Sequence, residues 1–105
     1  MPEEKSVDTM AMELTEKSIT RLLSVVRDGI SEEVSLVEDE LSDEVYLDLI
    51  RQFFERLGLP IPQSILNGEA SDIEVEHTMA GKAVKISASY TPTASTHYAL
   101  SVKLA

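Results

Sequence analysis

Three runs of alternating residues in the last third of the chain constrain its fold more than any other feature. Alternation with a period of two is typical of a strand with one face buried and the other in water. The runs therefore predict three half-buried strands. Their inward-facing members are Ile73, Val75 and His77, then Val84, Ile86, Ala88 and Tyr90, then Tyr98, Leu100, Val102 and Leu104.

The segments between these runs favour hairpins. A tight turn at residues 80–81 places Val75 opposite Ile86. In the same register Glu76 is opposite Lys85, so an acid faces a base while an apolar residue faces an apolar one. A Pro-Thr-Ala-Ser stretch supplies the second connection. The three strands are therefore predicted to form an antiparallel β-meander.

Residues 7–28 carry a helical pattern. Their polar side chains share one arc at 100° per residue, and Gly29 supplies a C-terminal stop. The apolar arc is wider than one contact needs. We expect this helix to pack against the sheet and also against a second helix or another subunit.

Two similar signals, Ser31-Glu-Glu-Val and Ser42-Asp-Glu-Val, follow at a spacing of eleven residues. Each resembles a helix start, with a capping hydroxyl followed by acids at the positive end of the helix dipole. One helix over residues 31–57 and two helices both fit, and a shift of the apolar stripe favours a break near residues 41–42. Residues 61–66 fit a helical turn or a short edge strand.

These elements predict one α+β domain over residues 7–105, preceded by a disordered tail of residues 1–6. Two to three N-terminal helices cover one face of the three-stranded antiparallel β-meander, with an extra short edge strand near residues 61–66 as an option. The N-terminus lacks an apolar signal core, and no apolar run approaches the ~20 residues that span a bilayer. We expect a cytoplasmic protein that does not enter membranes.

Charge is the outstanding compositional feature. Nineteen acids against nine bases give a formal net charge of −10, and every acid lies before residue 80. Such a surface repels phosphate backbones and anionic lipid, so direct nucleic-acid or membrane binding is not expected. It attracts a basic surface on another protein.

The acids are densest between residues 32 and 48, a stretch that we call the acidic segment. It contains no base, and neighbouring like charges cost a few tenths of a kcal/mol per exposed pair. We predict that its carboxylates form a protein-binding face on helical backbone. The plainer alternative is a solvated face plus two acid-rich helix starts. The predicted binding residues are Glu32, Glu33, Glu38, Asp39, Glu40, Asp43, Glu44 and Asp48.

No pattern in the chain indicates a catalytic, cofactor or metal site. The chain has no cysteine, no glycine-rich phosphate loop and no G-x-S-x-G turn. His77 falls on the apolar face, where a structural role is expected. His97 faces outward beside the second turn, far in sequence from any acid that could orient it.

The leading hypothesis is a small non-enzymatic protein-binding module, such as a regulator, inhibitor, adaptor or chaperone. One alternative is a phage- or plasmid-type nucleic-acid mimic that blocks a DNA-binding protein. Another is a small enzyme, or an enzyme subunit with a site at an oligomer interface. The fourth hypothesis is a structural subunit that only oligomerises. The edge of the last strand could pair with a second copy to form a homodimer.

Overall fold

The computed structural model describes residues 6–37, 41–91 and 97–105. Over these ranges helices pack with an antiparallel sheet, which confirms the α+β class. The predicted tail falls mostly on residues 1–5, which lie outside the described residues. The elements in chain order are α1 (Val7–Asp28), β1 (Val34–Ser35), α2 (Asp43–Leu57), α3 (Gln63–Leu66), β2 (Ser71–Met79), β3 (Lys82–Thr91) and β4 (His97–Leu104).

The first helix has the predicted bounds, and local chemistry explains both ends. The Ser6 hydroxyl accepts a hydrogen bond from the Thr9 N–H at 3.1 Å, which satisfies a backbone donor of the first turn. At the other end Gly29 adopts φ 64°, a left-handed conformation that glycine reaches without a Cβ clash. Among the described residues, no helix has the length and apolar content to cross a membrane.

The β2–β3 hairpin has the predicted register. Val75 lies opposite Ile86, and Glu76 lies opposite Lys85. The two-residue turn has positive φ at both positions, 49° at Ala80 and 78° at Gly81. Such a turn twists in the same sense as the strands that it joins.

The prediction of a helix starting at Ser31 is wrong. Val34 pairs with Val102 of β4, and the Leu36 N–H donates to the Leu100 carbonyl oxygen at 2.8 Å. Leu36 is buried while Ser35 is exposed, so this short stretch alternates like a strand. Acids at a helix start contribute about 0.3–1 kcal/mol each, whereas burying a leucine contributes about 1.5–3 kcal/mol. Burial of the leucine therefore decides the local structure.

The second predicted helix start is confirmed. The Ser42 hydroxyl accepts a hydrogen bond from the Val45 N–H, and α2 ends where Gly58 takes φ 71°. Residues 63–66 form the short helix α3, so the option of an edge strand near 61–66 is wrong. Pro62 precedes α3, and its ring removes the N–H that a strand ladder would need there.

The strand order is β1-β4-β3-β2, so the sheet has four strands. β1 pairs with β4 and adds one strand to the predicted three-stranded meander. The last strand is therefore an inner strand where β1 pairs with it, so the edge of β4 that could have paired with a second copy is occupied over those residues. The outer strand on the other side is β2. It has no partner strand beyond it among the described residues.

The core lies between the helices and one face of the sheet. Its three largest fully buried side chains are the aromatic residues Tyr46, Phe53 and Phe54 of α2. The Tyr46 hydroxyl donates toward two strand carbonyl oxygens, that of Ser89 at 2.8 Å and that of Ala99 at 3.0 Å. The inner-face residues are Val84, Ile86, Ala88, Tyr90, Leu100 and Val102.

Candidate functional site

The acidic segment does not form one helical face. Glu32 and Glu33 are exposed in the loop just before β1, while Glu44 is exposed in the first turn of α2. The three central members of the predicted set, Glu38, Asp39 and Glu40, lie outside the described residues. The prediction that residues 32–48 share helical backbone is therefore wrong for the N-terminal part of the segment.

The N-terminal part of the segment, around β1, instead follows one side of the sheet. Its residues pair with β4 from Val102 toward Leu100, and the chain then continues to the start of α2. Glu33 contributes to a shallow depression that also contains Lys103 of β4. The described carboxylates of the segment are thus divided between the loop before β1, which carries Glu32 and Glu33, and helix α2, which carries the other three.

Asp43 is turned toward the sheet. Its carboxylate accepts a hydrogen bond from the Tyr90 hydroxyl at 3.2 Å. The Tyr90 ring stacks on the ring of Tyr46, with 6.1 Å between centroids and 13° between planes. Burial, and then the charge and hydrogen bond of Asp43, raise the pKa of Tyr90 above its ordinary value. Asp43 therefore anchors the start of α2 to β3.

Asp48 belongs to an ion-pair network between the first two helices. It accepts a hydrogen bond from Arg51 Nε at 2.9 Å and another from the Gln52 side chain at 3.1 Å. Gln52 also reaches the Asp8 carboxylate of α1 at 3.3 Å. The hydrogen bond to Asp48 raises the pKa of the Arg51 guanidinium, with burial opposing it and the charges of Asp48, Glu55 and Asp8 adding to it. The negative charge of Asp48 is thus largely neutralised.

Three members of the predicted set remain directed to water: Glu32, Glu33 and Glu44. In the part of the chain that the structure describes, none of them makes an ion pair. We use the name β1 edge for β1 together with these three carboxylates, of which Glu32 and Glu33 directly precede β1 and Glu44 lies in the first turn of α2.

A second group of acids, which no sequence pattern had assigned to a site, lies at the opposite edge of the sheet, where Glu74 lines the same shallow depression as Glu33, Lys85 and Lys103. Asp72, Glu74 and Glu76 are exposed at alternate positions of the outer strand β2. We call the open side of β2 the β2 edge. The period-two pattern places these acids together on one face, but only the strand order shows that they border an open edge.

The histidines do not form a site with these acids. His77 lies opposite Val84 and is half-buried on the helix-covered side, which confirms the predicted placement on the apolar face. His97 begins β4 opposite Thr91, and its side chain lies outside the described part of the chain. Across the described ranges, no group of three or more His, Asp or Glu residues could hold a metal ion.

Comparison with protein-family models, curated proteins and solved structures gives no match to this chain. Its function must therefore be inferred from its own residues.

Proposed function

We propose that this chain is a small non-enzymatic protein-binding module that recognises a basic surface on another protein through its β1 edge. The observation that carries the proposal is that Glu32, Glu33 and Glu44 are exposed and make no ion pair among the described residues. Charges of this kind contribute little to folding, but they accelerate association with an oppositely charged partner.

A difference in bonding among the acids of the acidic segment supports this proposal. Asp43 bonds to the sheet, and Asp48 bonds within α2 to Arg51 and to Gln52, the residue that reaches Asp8 of α1, so the fold accounts for both acids. Within the described ranges, Glu32, Glu33 and Glu44 make no comparable hydrogen bond or ion pair. A regulator, inhibitor, adaptor or chaperone would use such carboxylates to steer a basic partner onto one side of the molecule.

The test is affinity purification from the native host with two variants of equal charge. The triple variant E32Q/E33Q/E44Q changes the β1 edge, and D72N/E74Q/E76Q changes the β2 edge. Each raises the formal net charge from −10 to −7. We expect a partner whose binding falls with added salt and is lost only in the β1-edge variant, because the interaction is local.

Two results would contradict this proposal. If every salt-sensitive partner binds the β1-edge variant as well as wild type, these carboxylates do not form the binding surface. If both variants weaken binding equally, the overall negative charge is responsible and no site exists on the β1 edge. Circular dichroism on each variant verifies that it folds.

A further inference from the structure

The β2 edge carries an inference that is independent of the β1 edge. β2 is nine residues long, and every one of them pairs with β3 on one side only. An open edge of this length presents a row of backbone donors and acceptors that can pair with another extended chain.

The hairpin geometry shows which backbone groups face outward. In a hairpin with a two-residue turn, the flanking pair Met79 and Lys82 exchanges hydrogen bonds, and bonded and non-bonded pairs then alternate. The β4 side gives an independent check, because the Ala83 carbonyl oxygen accepts from the Ala105 N–H at 3.0 Å. Ala83 therefore bonds away from its β2 partner Thr78. The residues of β2 whose N–H and C=O groups face the open edge, here called the outward set, are Asp72, Glu74, Glu76 and Thr78.

The acids of β2 belong to this same outward set. Their side chains lie on the outer face of the sheet, while the alternate residues Ile73 and Val75 are half-buried against the helix-covered side. A strand added at this edge would place its own residues directly opposite the outward set, with side chains on the same face. Three carboxylates would then face three consecutive alternate residues of the incoming strand.

We propose that the β2 edge binds an extended segment of another protein in which Lys or Arg alternates with apolar residues. The basic side chains would pair with Asp72, Glu74 and Glu76. The apolar residues between them would extend the inner face beside Ile73 and Val75. Glu74 already lies 3.9 Å from Lys85, both side chains being about half exposed, so that contact is weak and can be shared.

A second copy of this chain does not fit the same edge. When β2 pairs with itself about a two-fold axis, outward-set residues face one another, and in the registers that pair the centre of the strand Glu74 lies opposite Glu74 or Glu76 of the copy. Like charges directly opposite each other destabilise a strand pair. Pairing of this edge with its own copy is therefore less favourable than pairing with a basic strand.

The test uses the full chain and a synthetic nine-residue peptide, blocked at both ends, in which lysine alternates with valine and threonine. A peptide of the same composition with its lysines grouped at one end is the control. Binding is followed by titration of the backbone amide signals in nuclear magnetic resonance. We expect the alternating peptide to bind about tenfold more tightly, with the largest shifts at the outward set.

Two further arms separate strand pairing from simple charge attraction. Methylating alternate peptide nitrogens removes the donors along one side of the peptide without changing its charge, and we expect this to abolish binding. The D72N/E74Q/E76Q variant should weaken binding about tenfold, whereas E32Q/E33Q/E44Q should leave it unchanged.

The outcomes are distinct. Binding that survives methylation, or that both triple variants weaken equally, would show that the peptide is held by the overall charge, and the proposal would be overturned. Absence of binding by the alternating peptide would show that the acids only protect the edge from pairing, and it would overturn the proposal as well. None of these results bears on the β1 edge, so the two proposals fail separately.

Discussion

The two sides of the sheet carry similar charge but differ in how their strands are held. At the β1 edge a strand of two residues, Val34–Ser35, is held by contacts with distant parts of the chain. At the β2 edge a strand of nine residues, Ser71–Met79, is joined to its neighbour by a two-residue turn. One edge is short and covered by tertiary contacts, whereas the other is long and open.

Helix α1 supplies much of the support for the β1 edge. The buried Ser18 hydroxyl donates to the Leu36 carbonyl oxygen at 3.2 Å, and Arg21 donates to the Ser35 carbonyl oxygen at 3.1 Å. The two acidic edges therefore expose different chemical groups. The β1 edge presents side-chain charge, whereas the β2 edge presents charge together with unpaired backbone groups.

The largest effect should come from Leu36→Ala at the β1 edge. Leu36 is 4% exposed, and its removal should lower the free energy of unfolding by about 3 kcal/mol through lost burial and a residual cavity. Ile73→Ala at the half-buried β2 edge should cost about 1 kcal/mol. Urea unfolding measures both. An equal or larger loss for Ile73→Ala would show that the β1 edge is not held by its buried side chain.

Hydrogen exchange should reveal an alternating pattern along β2. The amides of the outward set should exchange at least about tenfold faster than those of Ile73, Val75 and His77, because only the latter donate to β3. At the β1 edge the Leu36 amide, which donates to Leu100, should be protected. Uniform protection along β2 would mean that this edge is covered in solution.

Removing the Ser18 hydroxyl should have a smaller effect. Ser18→Ala leaves the Leu36 carbonyl oxygen without its side-chain donor and should cost about 1 kcal/mol. Thr20→Ala is the matched control, since its exposed hydroxyl bonds only within α1 to the Glu16 carbonyl oxygen. We expect little change from it in thermal unfolding. Similar melting temperatures for the two variants would argue against a link between α1 and the β1 edge.

The smallest effect should be a loss of stability at high pH through Tyr90. The Tyr90 hydroxyl donates to Asp43 at the start of α2, the helix that follows β1 in the chain. Because the folded state raises the pKa of Tyr90, the unfolded chain loses this proton first. Stability is therefore fully present below about pH 10, the ordinary tyrosine pKa, and falls as the pH rises above it. Tyr90→Phe should show a shallower decline in melting temperature between about pH 9 and 11. Parallel declines would contradict this role.

Local patterns accounted for much of the fold. Residues 7–28 and the turn at residues 80–81 contain their own start, stop and turn signals, so α1 and the hairpin register could be predicted from neighbouring residues. The second helix start at Ser42 was also predicted, because the Ser42 hydroxyl caps its own first turn. These features depend on contacts within a few residues or across one tight turn.

The candidate sites were only partly predictable. The exposure of Glu32, Glu33 and Glu44 follows from their charge, but Asp43 and Asp48 differ from them only through partners that are distant in sequence or on another helical turn. No local signal indicated that Tyr90 would bind Asp43. The acids of β2 were placed on the polar face, but their position at an open edge required the strand order.

The sequence by itself determined the helix ends, the strand periodicity and the register of the hairpin, because short-range hydrogen bonds and side-chain alternation encode them. Only the tertiary structure decided that residues 34–35 join β4 and that β2 remains at the edge. The physical reason is the relative size of two free-energy contributions. Burial of Leu36 against distant residues outweighs a weak local preference for helix at Ser31.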